Sequence, residues 1–199
     1  MNFAVLASGH GGNLQAIIKA VGKGQIQADL KVVISDQKNA YALKRAHRAK
    51  IAAVYINPKD FSDREAFDRA IVDHLQKFKI DFVVLAGYMR LLSGFFLRQY
   101  PDKILNIHPS LLPAFKGLHG IVDAFAYGVR ITGPTVHFVI DEVDAGMIIL
   151  QEPVRVDPQD TVESLEKKIH KAEHRIYPKA IDLFARGKLK IVGRRVIVL

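Results

Sequence analysis

After Asp81, the stretch Phe82-Val83-Val84-Leu85-Ala86 is apolar at every position. Successive side chains of a strand point to opposite faces, so this strand has no face to give to water and must be covered on both. That selects the centre of a parallel sheet with helices above and below it. The remaining pattern supplies the alternation such a sheet needs. Residues 4–7, 30–34 and 53–55 read as strands, and 104–108, 132–140 and 147–151 as further ones. Between them lie helical patterns at Leu14, Ile17, Ile18 and Val21, at 40–49, at 93–100, near 124–127, and along the stripe Phe67, Ile71, Leu75 and Phe78. Ser62-Asp63-Arg64-Glu65 has capping-box spacing before that stripe. A long helix is expected from Asp160 or Thr161 to about Arg186, bent or divided at Pro178, and then a small hairpin turning at Gly193. The fold class is therefore α/β: a mostly parallel twisted sheet with helices on both faces and a C-terminal hairpin.

The length of 199 residues suits one domain, because a chain of this size buries roughly 70% of its unfolded surface. No apolar run approaches the roughly 20 residues of a membrane span. The chain enters its first strand without a basic and apolar leader, so a cytoplasmic protein is expected. Cysteine is absent, which excludes disulfides and thiolate nucleophiles and leaves only His and carboxylates for a metal. A net charge of +9 is compatible with nucleic acid, an anionic surface or acidic small substrates. Its two basic groups are Lys44, Arg45, Arg48 and Lys50, and Lys188, Lys190, Arg194 and Arg195. Neither has the interleaved aromatics of a single-strand platform, so both read as solvated faces, and no nucleic-acid or membrane partner is expected.

Several stretches carry chemistry. Asn106-Ile107-His108-Pro109-Ser110-Leu111-Leu112-Pro113 ends an apolar strand in two polar side chains on one face, pinned by a proline that cannot extend the ladder. Ligands of open α/β sheets bind beyond the carboxyl ends of strands, so this is either a site or a His capped by backbone. Ser8-Gly9-His10-Gly11-Gly12-Asn13 is a glycine turn between strand and helix, suited to a phosphate at a helix N-terminus or to a tight turn with no ligand. The third glycine of a dinucleotide fingerprint would fall on Leu14, although Asp36 at the end of the second strand keeps that alternative open. Gly87-Tyr88-Met89-Arg90-Leu91-Leu92 offers a flat wall for a ring, with core packing of Met89 and Leu92 as the default. Arg64 in a first helical turn opposes the helix dipole and is either solvated or meets an anion. His137 reads as a structural member of its strand face. Asp141-Glu142-Val143-Asp144 is a solvated turn unless one acid faces inward to pair with a His. His170-Lys171-Ala172-Glu173-His174 matches an inverted zinc-protease pattern, but the chain beyond it holds only Asp182 as a further acid.

Read together, these motifs resemble the glycinamide ribonucleotide formyltransferase family, folate-dependent enzymes of purine synthesis. The resemblance rests on Ser8 to Gln15, on Ala86-Gly87-Tyr88-Met89-Arg90, on Asn106 to Pro113, and on Thr135-Val136-His137-Phe138-Val139 followed by Asp144-Ala145-Gly146. It implies one formyltransferase domain over residues 1–199. It also implies that Gly11, Gly12, Asn13, Leu14 and Gln15 cradle the ribonucleotide phosphate, and that Glu173 contacts the ribonucleotide. Arg64, Met89, Arg90, Leu91, Leu92, Asn106, Ile140, Asp141, Glu142, Val143 and Asp144 would line the site of 10-formyltetrahydrofolate, with Arg64 toward its glutamate tail. Asn106, His108 and Asp144 would be catalytic. The substrates are then small molecules, no metal is required, and a homodimer stays open.

The implied roles make chemical sense. Attack of an amine on a formyl carbon develops an oxyanion, to which an amide and an imidazole can donate, while the imidazole moves a proton and a carboxylate favours its charged form. The chain departs from the family pattern at Gly12, where Ser or Thr is common, at Pro134, and at Met147. Related alternatives are a formyltetrahydrofolate hydrolase, which usually carries a second His where this chain has Pro109, and a non-catalytic ribonucleotide-binding protein.

Overall fold

The computed structural model describes residues 1–199. Strands β1 (Asn2–Leu6), β2 (Asp29–Ser35), β3 (Ala52–Tyr55), β4 (Phe82–Leu85) and β5 (Ile104–His108) run parallel in the spatial order β5-β4-β1-β2-β3. The short β6 (Ile131–Thr132) leaves this sheet. Next, β7 (Thr135–Phe138) returns antiparallel to β5, and β8 (Ile148–Gln151) antiparallel to β7. A two-residue strand, β9 (Val154–Arg155), pairs with β6 in a separate ribbon. The hairpin of β10 (Leu189–Val192) and β11 (Arg195–Val198) completes a nine-stranded sheet through the parallel pairing of Arg195 with Ile148.

Six helices cover the sheet: α1 (Gly12–Gly22), α2 (Tyr41–Arg48), α3 (Arg64–Lys77), α4 (Gly94–Gln99), α5 (Gly120–Tyr127) and α6 (Val162–Ala185). Alternation along the central strands divides the core. In β1, Phe3 and Val5 join the larger cluster with Leu14, Ile17, Ala42 and Tyr177 of α1, α2 and α6. Ala4 and Leu6 join the second cluster with Phe67, Ile71, Leu75 and Phe96 of α3 and α4. In β4, Phe82 and Val84 likewise face the first cluster and Val83 and Leu85 the second, as a strand without a polar face requires. The buried Tyr177 hydroxyl sits 2.7 Å from the Leu85 carbonyl and 3.0 Å from that of Leu105, tying α6 to β4 and β5 together.

The structure corrects several expectations. Residues 132–140 form no single strand, because Gly133 has φ 144° and Pro134 lacks an N–H, so the chain bends between β6 and β7. The cap of α3 is Asp63, not Ser62: its carboxylate accepts the Ala66 N–H at 2.8 Å, and the Ser62 hydroxyl donates to that carboxylate. Helix α6 runs undivided through Pro178. Buried Tyr177, Ala180 and Ile181 hold both sides of the proline, and their packing outweighs a helix-interior cost of about 3 kcal/mol.

Candidate active site

Asn106 and His108 share one face of β5, and the antiparallel register sets Asn106 opposite His137 and His108 opposite Thr135. Asn106 Nδ2 lies 3.1 Å from His137 Nε2, while His137 Nδ1 lies 2.8 Å from the Phe138 carbonyl. A carbonyl only accepts, so Nδ1 carries a proton; in the neutral ring Nε2 then accepts from the Asn106 amide. One Asn106 N–H is fixed in this way and the other stays available. His137 is therefore part of the polar cluster rather than only a member of a strand face.

Asp144 completes that cluster. Its Oδ2 lies 3.2 Å from His108 Nδ1 and accepts the Gly117 N–H at 2.9 Å. Its Oδ1 is 3.6 Å from His137 Nε2, a contact that becomes an ion pair only on protonation of His137, which would also reverse the Asn106 bond. Burial pushes the Asp144 carboxyl up, but the hydrogen bond that His137 gives once protonated, the Gly117 amide and the charge of His108 outweigh it, and the group titrates below the usual carboxylate range. The backbone at Asp144 is left-handed, with φ 50°. Two residues on, Gly146 passes so close to β7 that a Cβ would collide with the Phe138 carbonyl.

His108 is 4% exposed, and its Nε2 lies 2.8 Å from the Phe115 carbonyl. Acceptors thus face both ring nitrogens, a pattern that the imidazolium satisfies. The proline loop beside it is pinned from β7 and β8. Thr135 Oγ1 donates to the Ser110 carbonyl and accepts the Leu112 N–H, and Gln151 Nε2 donates to the Leu112 carbonyl.

The glycine turn builds a second feature. Gly11 has φ 74° as the N-cap of α1, and the first helical bond runs from Gln15 N to the Gly11 carbonyl. The N–H groups of Gly12, Asn13 and Leu14 are left without helical acceptors at the positive end of the dipole. Gly11, Gly12, Asn13, Gln15, Arg45 and His170 line a cleft of about 980 Å³. The Leu14 side chain is buried in the core, so only its backbone can meet a ligand. Glu173 is 3% exposed and stands behind the cleft, accepting from Asn13 Nδ2 at 3.0 Å and pairing with His170 Nδ1 at 2.8 Å. That bond to Glu173 raises the His170 pKa against the effect of burial, whereas burial lowers that of His174. Asp36 is buried, with Oδ2 accepting from Gln37 at 2.9 Å.

A wall flanks the cluster. Met89 is 64% exposed and Leu91 58%, so Met89 is not in the core, while Leu92 packs partly against the second cluster. The Arg90 guanidinium lies 5.1 Å from the centroid of the Phe67 ring. Burial raises the pKa of Asp68, opposed by the Ser93 N–H at 2.6 Å and by the charges of Arg64 and Arg90, which places both arginines in one field. Across from Gly94 at the start of α4 lies Asp141, in the loop where Ile140 is half-buried and Asp141, Glu142 and Val143 are exposed. Lys116 pairs with Glu142 at 2.9 Å. Met89 belongs to both regions: it lines the 980 Å³ cleft, and its N–H donates to Ser8 Oγ. The cleft does not reach Asn106, His108 or Asp144, which lie beyond β4.

Sequence reasoning did not foresee the contact of His137 with Asn106. Its signal was the shared face with Thr135, but only the β5–β7 register identifies the partner.

Comparison with known proteins agrees with this geometry. The family described as formyl transferase matches residues 1–181. The trifunctional purine biosynthetic protein adenosine-3 of Bos taurus is 47% identical over 188 residues, 94% of this chain. This chain spans only 19% of that protein's length. Phosphoribosylglycinamide formyltransferase of Haemophilus influenzae is 45% identical over 94% of this chain and 89% of its own. The crystal structure of glycinamide ribonucleotide transformylase 1 from Symbiobacterium toebii superposes with a TM-score of 0.98 at 51% identity, covering 100% of this chain and 94% of that one. With a family match over most of its length and relatives this similar end to end, the chain belongs to the formyl transferase family.

Proposed function

We propose that the chain transfers the formyl group of 10-formyltetrahydrofolate to the amine of 5-phosphoribosylglycinamide, as a single domain over residues 1–199. The observation that carries this reading is the chain of contacts from Asn106 through His137 and Asp144 to His108, set beside an exposed apolar and cationic wall. Relatives named phosphoribosylglycinamide formyltransferase support it.

The amine attacks the formyl carbon, so a C–N bond forms and the carbonyl oxygen becomes an oxyanion. The free Asn106 N–H and the His108 imidazolium donate to that oxygen. The C–N10 bond then breaks, the amine loses a proton and N10 gains one, with His108 as the shuttle. Asp144, 3.2 Å from Nδ1, fixes the orientation of the His108 ring. Because His108 Nε2 faces the Phe115 carbonyl, that contact opens when the substrates bind. The ribonucleotide phosphate occupies the free N–H groups of α1, Glu173 acts on the ribonucleotide through Asn13 and His170, and the folate lies along Met89, Arg90, Leu91 and Leu92 and the 140–144 loop. Its glutamate tail points toward Arg64. No step needs a metal, and both partners are small molecules.

Incubation with both substrates tests the proposal against its rivals. Formylated ribonucleotide without free formate supports it, formate released without the amine identifies a hydrolase, and binding without either product identifies a non-catalytic protein.

A further inference from the structure

We infer that Arg45 binds the phosphate of the ribonucleotide, supplying a positive charge and the side-chain donor that Gly12 lacks. This rests on the reading of residues 11–15 as a phosphate cradle. Within this basic group Lys44, Arg48 and Lys50 are exposed, as a solvated face requires, and only the half-buried Arg45 turns to the wall of the cradle. The Ala42 N–H donates to the Gly9 carbonyl at 3.1 Å, and a Cβ on Gly11 would lie 3.0 Å from Ala42 and 3.4 Å from Arg45 Cδ.

Arg45 is fixed in place before any ligand arrives. Its Nε donates to the His10 carbonyl at 3.0 Å and Nη1 to Gln15 Oε1 at 2.8 Å. The guanidinium stacks over Tyr41 at 4.7 Å, on a ring that also stacks with His10. These two acceptors are neutral, Nη2 lies a further 3.4 and 3.5 Å from the ring nitrogens of His10, and no carboxylate forms an ion pair with Arg45. Its charge is therefore uncompensated, and N–H donors remain on Nη1 and Nη2 at the wall of the cleft. The first turn of α1 carries no acid either. A pre-oriented, unpaired guanidinium beside free backbone N–H groups suits a phosphate dianion. Arg48, by contrast, donates to the Tyr41 hydroxyl and does not line the cleft.

The test is titration of 5-phosphoribosylglycinamide, with inorganic phosphate as competitor, into the wild type, Arg45→Met, Arg45→Lys and the double variant Gly12→Ser/Arg45→Met. Arg45→Met is expected to weaken ribonucleotide binding and phosphate competition by about tenfold, as loss of a charge-assisted contact does, with kcat at saturation within about threefold. Arg45→Lys keeps the charge and recovers part of the affinity, and Gly12→Ser recovers part by restoring a hydroxyl. Unchanged ribonucleotide binding in Arg45→Met overturns the inference. So does an equal loss of kcat and thermal stability in Arg45→Met and Arg45→Lys, which would make Arg45 only a brace. A wild type that binds neither ribonucleotide nor phosphate overturns the cradle itself.

Discussion

At His137 the proton on Nδ1 decides what Asn106 can do: with Nε2 left as an acceptor, the amide of Asn106 is turned so that its second N–H is free for substrate. This arrangement was only half legible. Alternation put Asn106 and His108 on one face, but His137 is 31 residues from Asn106 and meets it only through strand pairing. Glu173 was expected at the ribonucleotide from the resemblance alone, and its contacts with Asn13 and His170 could not be read from the sequence. The Glu173 bond predicts that His170 titrates above the ordinary histidine value of about 6.5, while burial holds His174 below it. NMR titration of the two rings checks this. Glu173→Gln should bring His170 down, and an unmoved His170 midpoint would contradict the pairing.

Among the elements, the turn between β7 and β8 is the most constrained. Gly146 leaves no space for a Cβ against Phe138, and Asp144 two residues earlier must reach His108. Gly146→Ala should therefore shift Asp144 and lower kcat by at least tenfold, as a displacement of about 1 Å near the chemistry can, while far-UV circular dichroism stays unchanged. Retained turnover would show that the loop adapts. Tyr177 joins α6 to the two strands that lead into Gly87 and Asn106. Tyr177→Phe should cost about 1–3 kcal/mol in chemical denaturation, the penalty for leaving buried acceptors without their donor. The strands and helices were legible because their apolar periods differ. The break at Gly133-Pro134 and the cap at Asp63 were not, since each depends on which of several adjacent polar or special residues the neighbouring chain engages.

For the whole molecule, the wholly apolar β4 required cover on both faces, and two core clusters provide it. What periodicity did not give was the return of β7 and β8 antiparallel beside β5, which brings His137 and Asp144 to the site. That return also makes stability depend on pH. The folded-state pKa of Asp144 is lowered, so its contribution is fully present above the unfolded carboxylate value of about 3.9 and is lost as pH falls through the lower folded value. Urea midpoints measured between about pH 3 and pH 6 should fall on the acid side in the wild type. Asp144→Asn should flatten that fall, and an equal acid loss in both proteins would refute the assignment.

The central claim is formyl transfer through His108, and a single-turnover experiment with 10-formyltetrahydrofolate carrying ¹³C in the formyl group addresses it most directly. In the wild type the label should pass to the amine nitrogen of 5-phosphoribosylglycinamide as a new amide carbon signal. In folded His108→Ala that transfer should slow at least a hundredfold, near the lower end of what loss of proton-transfer catalysis gives. Label appearing as free formate, or transfer at an undiminished rate in His108→Ala, would contradict the account.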